Sequence, residues 1–203
     1  MGEVTASSVR AAFDRRRAAT ASLADDAGAV ALTCRAMARR FHAGGRLLTF
    51  GSGAAAADAA HLAVEFVHPV LVGKRALPAL SLVNDPATLT AVLAAEGPDE
   101  VFAAPLRCLA VPGDIALGLS PDGNGADVER GLAVARARGL LTVALAGGDG
   151  GRLAGSADVD HLVVARSPDP AVVREIHVTV YHVLWELVHV FLDDPDSLGE
   201  GAA

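Results

Sequence analysis

Cysteine is nearly absent: Cys34 and Cys108 are the only two in 203 residues. They lie far apart and form no Cys-x-x-Cys pair, so the chain lacks a disulfide framework and a paired-thiolate motif. Two buried free thiols in a reducing cytoplasm are the expectation. Positive charge is also short. Lys and Arg number 17 against 24 Asp and Glu, a formal net charge of -7, which argues against the clustered basic face that nucleic-acid binding needs. Arg15-Arg16-Arg17 is too short a run to change that and reads as a solvated helix face. A small anionic ligand stays open, because backbone amides can hold one. No apolar run reaches the roughly 18 residues of a spanning helix; Val178 to Leu192 is broken by His182, Glu186 and His189. No apolar core follows a basic N-terminal region, so neither a signal peptide nor a membrane partner is expected. Repeats and low-complexity linkers are missing as well, which leaves one domain with a helical extension. The single Tyr181 and single Trp185 read as core or subunit-interface anchors.

What is present is organised around Leu47 to Glu65. A short apolar run is followed by Gly51-Ser52-Gly53, then by an alanine-rich segment. Strand, glycine turn and helix in that order present backbone N–H groups to an anion at a helix N-terminus. His61 and Glu65 sit four apart on one face of that helix. A pair so placed can bind a metal or move protons, and it is equally a common surface pair.

Before it, about Val4 to His42 reads as one long or two shorter amphipathic helices, ended by Gly44-Gly45. Such an arm is expected outside a doubly wound sheet or against another subunit. After it, strands are expected at Pro78–Val83, Ile115–Leu119, Leu140–Leu145 and Val159–Val164. Helices are expected at Thr88–Ala95, Asp99–Ala110, Ala126–Arg138 and Ala171–Leu192, with a short one reaching Ala154. Asp193 to Ala203 reads as a frayed tail. The expected division is an arm over 1–43, a domain over 44–192 and a tail over 193–203. Five strands alternating with helices make an α/β fold, a flavodoxin-like three-layer sandwich with a parallel sheet in the order 2-1-3-4-5. Ligands of such sheets bind where strands one and three diverge, beyond their carboxyl ends. Gly51-Ser52-Gly53 and Ser120-Pro121-Asp122-Gly123-Asn124 meet there.

The ordered set of helical arm, Gly51-Ser52-Gly53, His61-x-x-x-Glu65, Leu117-Gly118-Leu119-Ser120-x-x-Gly123-Asn124, Gly150-Gly151-Arg152-Leu153-Ala154 and Arg174-Glu175-Ile176-His177 to His182 resembles the sugar isomerase (SIS) domain. The last of these motifs resembles the sedoheptulose 7-phosphate isomerase (phosphoheptose isomerase) branch. The resemblance implies a cytoplasmic homotetramer with active sites between subunits, zinc in some members, and interconversion of aldose and ketose phosphates by proton transfer between adjacent carbons. It makes Glu65 the acid/base carboxylate and His182 its partner base, and it matches His61, Glu65 and His182 to three zinc ligands. Gly51, Ser52, Gly53, Ser120, Asp122, Gly123, Asn124 and Arg174 become the substrate-binding candidates.

Departures from the family pattern concentrate in the ligand contacts. Arg174 stands where the family has a fourth zinc ligand, Gln, and a permanent cation cannot coordinate a metal. Glu175 could replace that ligand or be a solvated carboxylate. Pro121 and Asp122 replace two hydroxyl donors of the phosphate loop, and Asp122 either faces the pocket or caps the next helix. Family polar positions fall on Ala55, Ala94, Ala95 and Ala171. His177 and His189 are expected to be packed rather than catalytic. Two functions follow: a carbohydrate-derivative isomerase working by Glu/His acid-base chemistry, or a non-catalytic SIS scaffold similar to a DnaA-binding replication regulator.

Overall fold

A computed structural model describes residues 5–199; Val4, the expected start of the arm, and the end of the expected tail at 200–203 lie outside them. Five strands form one parallel sheet in the order β2-β1-β3-β4-β5. They are β1 (Leu47–Gly51), β2 (Ala79–Ser81), β3 (Ile115–Ser120), β4 (Leu141–Gly147) and β5 (His161–Ala165). Every residue of β1, β3 and β4 is buried, as strands covered on both faces must be. β2 is shorter than the apolar run suggests. It is an edge strand, and Leu80 on it is exposed; a short edge leaves few unpaired backbone groups to recruit another chain.

Helices α1 (Ala6–Asp25) and α2 (Ala27–His42) form the N-terminal segment and part at Asp26. Only α1 keeps to the periphery, with Ala19 its one buried residue. Cys34, Met37 and Ala38 of α2 have no exposed surface and join the core. The expectation of an arm outside the sheet layers therefore fails for α2, whose apolar stripe completes the cover of one sheet face. The same face carries α3 (Ala54–Val67) and α7 (Pro170–Asp193). The opposite face packs α5 (Ala103–Leu109) and α6 (Ala126–Ala137) on Leu48, Phe50, Ala116 and Ala144. α4 (Pro86–Glu96) buries no residue, and one turn of 3-10 helix, Pro98–Glu100, takes the start of the expected helix at Asp99. Gly151–Gly155 is likewise 3-10.

Two expectations need correcting. Cys34 is buried, with burial pushing its thiol up to about 12, but Cys108 is exposed. The segment after α7 is not frayed throughout: Leu198 is fully buried, and Arg35 and Arg39 donate to its carbonyl at 3.0 and 2.6 Å. Those two cations sit on α2, too far away in sequence to be read as a clasp.

Candidate active site

Glycine shapes the turn after β1. A side chain at Gly51 would lie 2.8 Å from the Leu119 carbonyl of β3, and Gly53 has φ +61, so β1 and β3 approach closely and the chain turns sharply into α3. From there α3 and α7 lie side by side on the sheet, and three polar pairs bridge them like rungs. Arg174 donates to both Asp58 carboxylate oxygens at 2.9 and 3.2 Å. The Tyr181 hydroxyl meets His61 Nδ1 at 3.0 Å. His182 Nε2 lies 3.9 Å from Glu65 Oε1. Positions 58, 61 and 65 share one face of α3, as 174, 181 and 182 share one of α7. Both sets ascend together, so the helices run parallel.

Glu65 is 6 % exposed. Its Oε1 lies 2.9 Å from His61 Nε2, while its Oε2 is buried without a partner among the described residues. Leaving such an atom unpaired costs about 1–3 kcal/mol. His182 Nδ1 lies 2.8 Å from the Val178 carbonyl. That contact places the proton on Nδ1 and leaves a lone pair on Nε2.

Ligand atoms of His61, Glu65 and His182 all lie within 4.8 Å of one another, close enough for one cation. Two histidines and a glutamate can supply the three protein ligands of an open catalytic zinc site, but the fourth ligand of the family pattern is missing. The guanidinium at position 174 offers no lone pair, and the His61–Glu65 hydrogen bond occupies a direction that a metal would need. Charge repulsion is the lesser obstacle, because Asp58 pairs with Arg174 and offsets its charge. Glu175 does not fill the gap: it is half-exposed and binds Arg16 of α1 at 2.6 Å. Arg15 reaches Asp169 at 4.0 Å, so part of the basic run clips α1 to the start of α7.

The second turn is closed in on itself. Asp122 accepts from the Asn124 N–H at 2.9 Å and so caps its own loop, whereas Gly125 occupies the N-cap of α6. Asn124 donates to the Asp122 carbonyl and accepts from the Arg152 N–H. Gly123 gives its N–H to the Ser120 carbonyl at 3.2 Å. Ser120, fully buried, accepts from the Gly125 N–H at 3.1 Å and keeps its own proton. Ser52 donates to Asp127, in the first turn of α6. Asp127 was missed in sequence because an acidic residue there reads as ordinary helix stabilisation.

Ala55 is buried, and Ala94 and Ala95 are exposed on α4, so no polar side chain stands at those points. Asp169, not Ala171, faces the start of α7, where it caps the helix. His177 and His189 are buried; burial pushes His177 below its usual value, and both ring nitrogens of His189 lie 2.8 and 3.0 Å from backbone carbonyls. Trp185 packs in the core, as expected, and Tyr181 does so too while also touching His61.

Comparisons with known proteins agree with the fold. A family model described as SIS domain matches residues 13–147. The phosphoheptose isomerase of Chlorobium phaeobacteroides is 42% identical over 178 residues, covering 87% of this chain and 78% of that protein. Among solved structures, a phosphoheptose isomerase from Francisella tularensis superposes with a TM-score of 0.85 at 25% identity, covering 93% of this chain and 100% of that one. That of Neisseria gonorrhoeae gives 0.81 at 28%, covering 89% and 96%.

Proposed function

The chain belongs to the SIS domain family, and on that premise we propose that it is an aldose–ketose isomerase acting on a sugar or sugar phosphate. The observation that carries the reading is the buried carboxylate of Glu65 with one oxygen unpartnered, flanked by His61 and His182. The Glu65 carboxylate, whose Oε1 faces His61 and His182, takes the proton from the carbon beside the carbonyl and returns it to the neighbouring carbon. His182 Nε2, which carries the free lone pair in the tautomer set by the Val178 carbonyl, accepts and returns a hydroxyl proton. Arg174 is half-exposed and keeps N–H donors that Asp58 does not use; they serve oxygens of the sugar or of the enediolate that forms. Ser120 offers its hydroxyl proton, and Gly51, Ser52 and Gly53 line the crevice between β1 and β3. The non-catalytic alternative is not favoured: the relatives at 42% and 44% identity are named as isomerases, and a scaffold has no need of an unpaired buried carboxylate.

An assay on sedoheptulose 7-phosphate, and on the same sugar without phosphate, tests the reading. Chelator-resistant turnover of either is expected. Absence of turnover on both would remove the isomerase and leave the scaffold.

Zinc is read here as a group for which the site lacks a ligand. Arg174→Gln restores that ligand and is expected to tighten zinc affinity about tenfold in a calorimetric titration. Stoichiometric zinc in protein purified without added metal would overturn this expectation.

Assembly follows the family as a homotetramer in the cytoplasm. Phe13 and Leu32 on the N-terminal helices, and Val70, Leu71 and Val72 after α3, are exposed on the single chain, more apolar surface than scattered exposure requires. Light scattering at micromolar concentration is expected to give four chains per particle; a monodisperse monomer would refute it.

A further inference from the structure

The middle rung between α3 and α7 decides where a proton sits. Tyr181 has no exposed surface, and among the described residues its hydroxyl has one partner, His61 Nδ1 at 3.0 Å. A phenol has one proton to give. An ordinary phenol titrates at about 10 and so keeps its proton at neutral pH. Were the phenol oxygen to accept from an Nδ1–H, its own proton would be stranded in the interior without an acceptor. The hydroxyl therefore donates to Nδ1, and a neutral imidazole must then carry its proton on Nε2.

The other end of the ring requires the same state. His61 Nε2 lies 2.9 Å from Glu65 Oε1. A bare lone pair there would face a carboxylate oxygen, acceptor against acceptor, whereas Nε2–H makes a charge-assisted hydrogen bond. The two contacts reinforce one another, and both oppose a metal at Nε2.

We infer that Tyr181 is a positioning residue that holds His61 as its Nε2–H tautomer, turning the residue at this position from a metal ligand into the hydrogen-bond donor that orients Glu65. The hydrogen bond at Oε1 thereby fixes the orientation of the carboxylate that moves the substrate proton. The inference deepens the isomerase reading and rests on it for that last step. The tautomer and the metal preference stand without it.

The test uses the full-length protein with 15N-labelled histidine. Long-range proton–nitrogen correlation spectra are expected to show His61, assigned by the loss of its signals in His61→Asn, as the Nε2–H tautomer. Tyr181→Phe removes one oxygen and keeps the packing. It is expected to give a mixture of tautomers and to tighten cobalt(II) affinity, read from the visible spectrum of the bound ion, at least fivefold. In the assay it is expected to lower kcat with KM little changed. An Nδ1–H tautomer in the unaltered protein, or a cobalt affinity indifferent to Tyr181→Phe, would overturn the inference. Failure of the isomerase reading would look different: no turnover, with the Nε2–H tautomer still present.

Discussion

Glu65→Gln is expected to lower kcat for aldose–ketose interconversion about a thousandfold while leaving KM within a few-fold. General acid–base groups contribute roughly 10²–10⁴ in rate, and Glu65 stands in the proposal as the group that touches carbon-bound protons. The substitution is close to isosteric. Gln keeps an oxygen for the His61 Nε2–H and removes a buried charge, so unfolding by denaturant is expected at the same or a slightly higher midpoint. That separation matters, since a drop in activity with intact folding isolates the proton transfer. Activity within tenfold of the unaltered protein would mean that another group moves the proton.

Asp127→Asn is expected to tighten binding of sedoheptulose 7-phosphate at least tenfold. Asp127 sits in the first turn of α6, and Ser52 of the turn after β1 donates to its carboxylate. The contact spans the crevice between β1 and β3 proposed above for the ligand, and puts a negative charge at the end of a helix that would otherwise attract an anion. At an effective dielectric of about 20 and a separation of about 5 Å, one pair of like unit charges costs roughly 3 kcal/mol, and a phosphate monoester carries close to two charges. Solvent at this partly exposed residue reduces that figure. Asn retains an acceptor for Ser52 and removes the repulsion, at a cost of about 0.3–1 kcal/mol in helix-dipole stabilisation. Changing Pro121-Asp122 to Thr-Ser, the more obvious substitution from sequence, is expected to do less, because Asp122 already spends its carboxylate on the Asn124 N–H. Calorimetric titration of the three proteins compares them; no gain from Asp127→Asn would show that the phosphate is held elsewhere.

The sheet order and the pairing of His61 with Glu65 were legible because they rest on local pattern: apolar runs, glycine turns and a four-residue spacing. The rest depended on distance. Asp58 lies three residues before His61 on the same stripe, a signal that was there to be read, yet its meaning depends on Arg174. Tyr181 looked like any large aromatic, and burial was indeed its fate. That its hydroxyl ends on His61 follows from how α7 lies on α3, which no spacing within α7 encodes. Asp122 shows the converse. Local chemistry allowed an inward carboxylate or a cap, and the loop chose a version of the second in which Asp122 caps its own backbone rather than α6. Glu175 carried a chemically sound alternative that its face of α7 forecloses, since that face turns to Arg16. Leu198 and its two arginine partners belong to opposite ends of the chain, and only packing could join them.

The rungs between α3 and α7 also set a timetable. The first joins residues 116 apart and the second 120 apart, and no nearer part of the chain can substitute for either partner. During synthesis, at about 5–20 residues per second, α3 leaves the ribosome many seconds before α7 exists. Throughout that interval the polar stripe of Asp58, His61 and Glu65 has no opposite number, and the apolar side of α2 lacks the helix that covers it. On the ribosome the site therefore cannot assemble before α7 has emerged, and assembling it closes a loop of more than a hundred residues at a cost in entropy. A chain ending before Pro170 would contain the sequence of all five strands and the carboxylate, and would still lack Arg174, Tyr181 and His182.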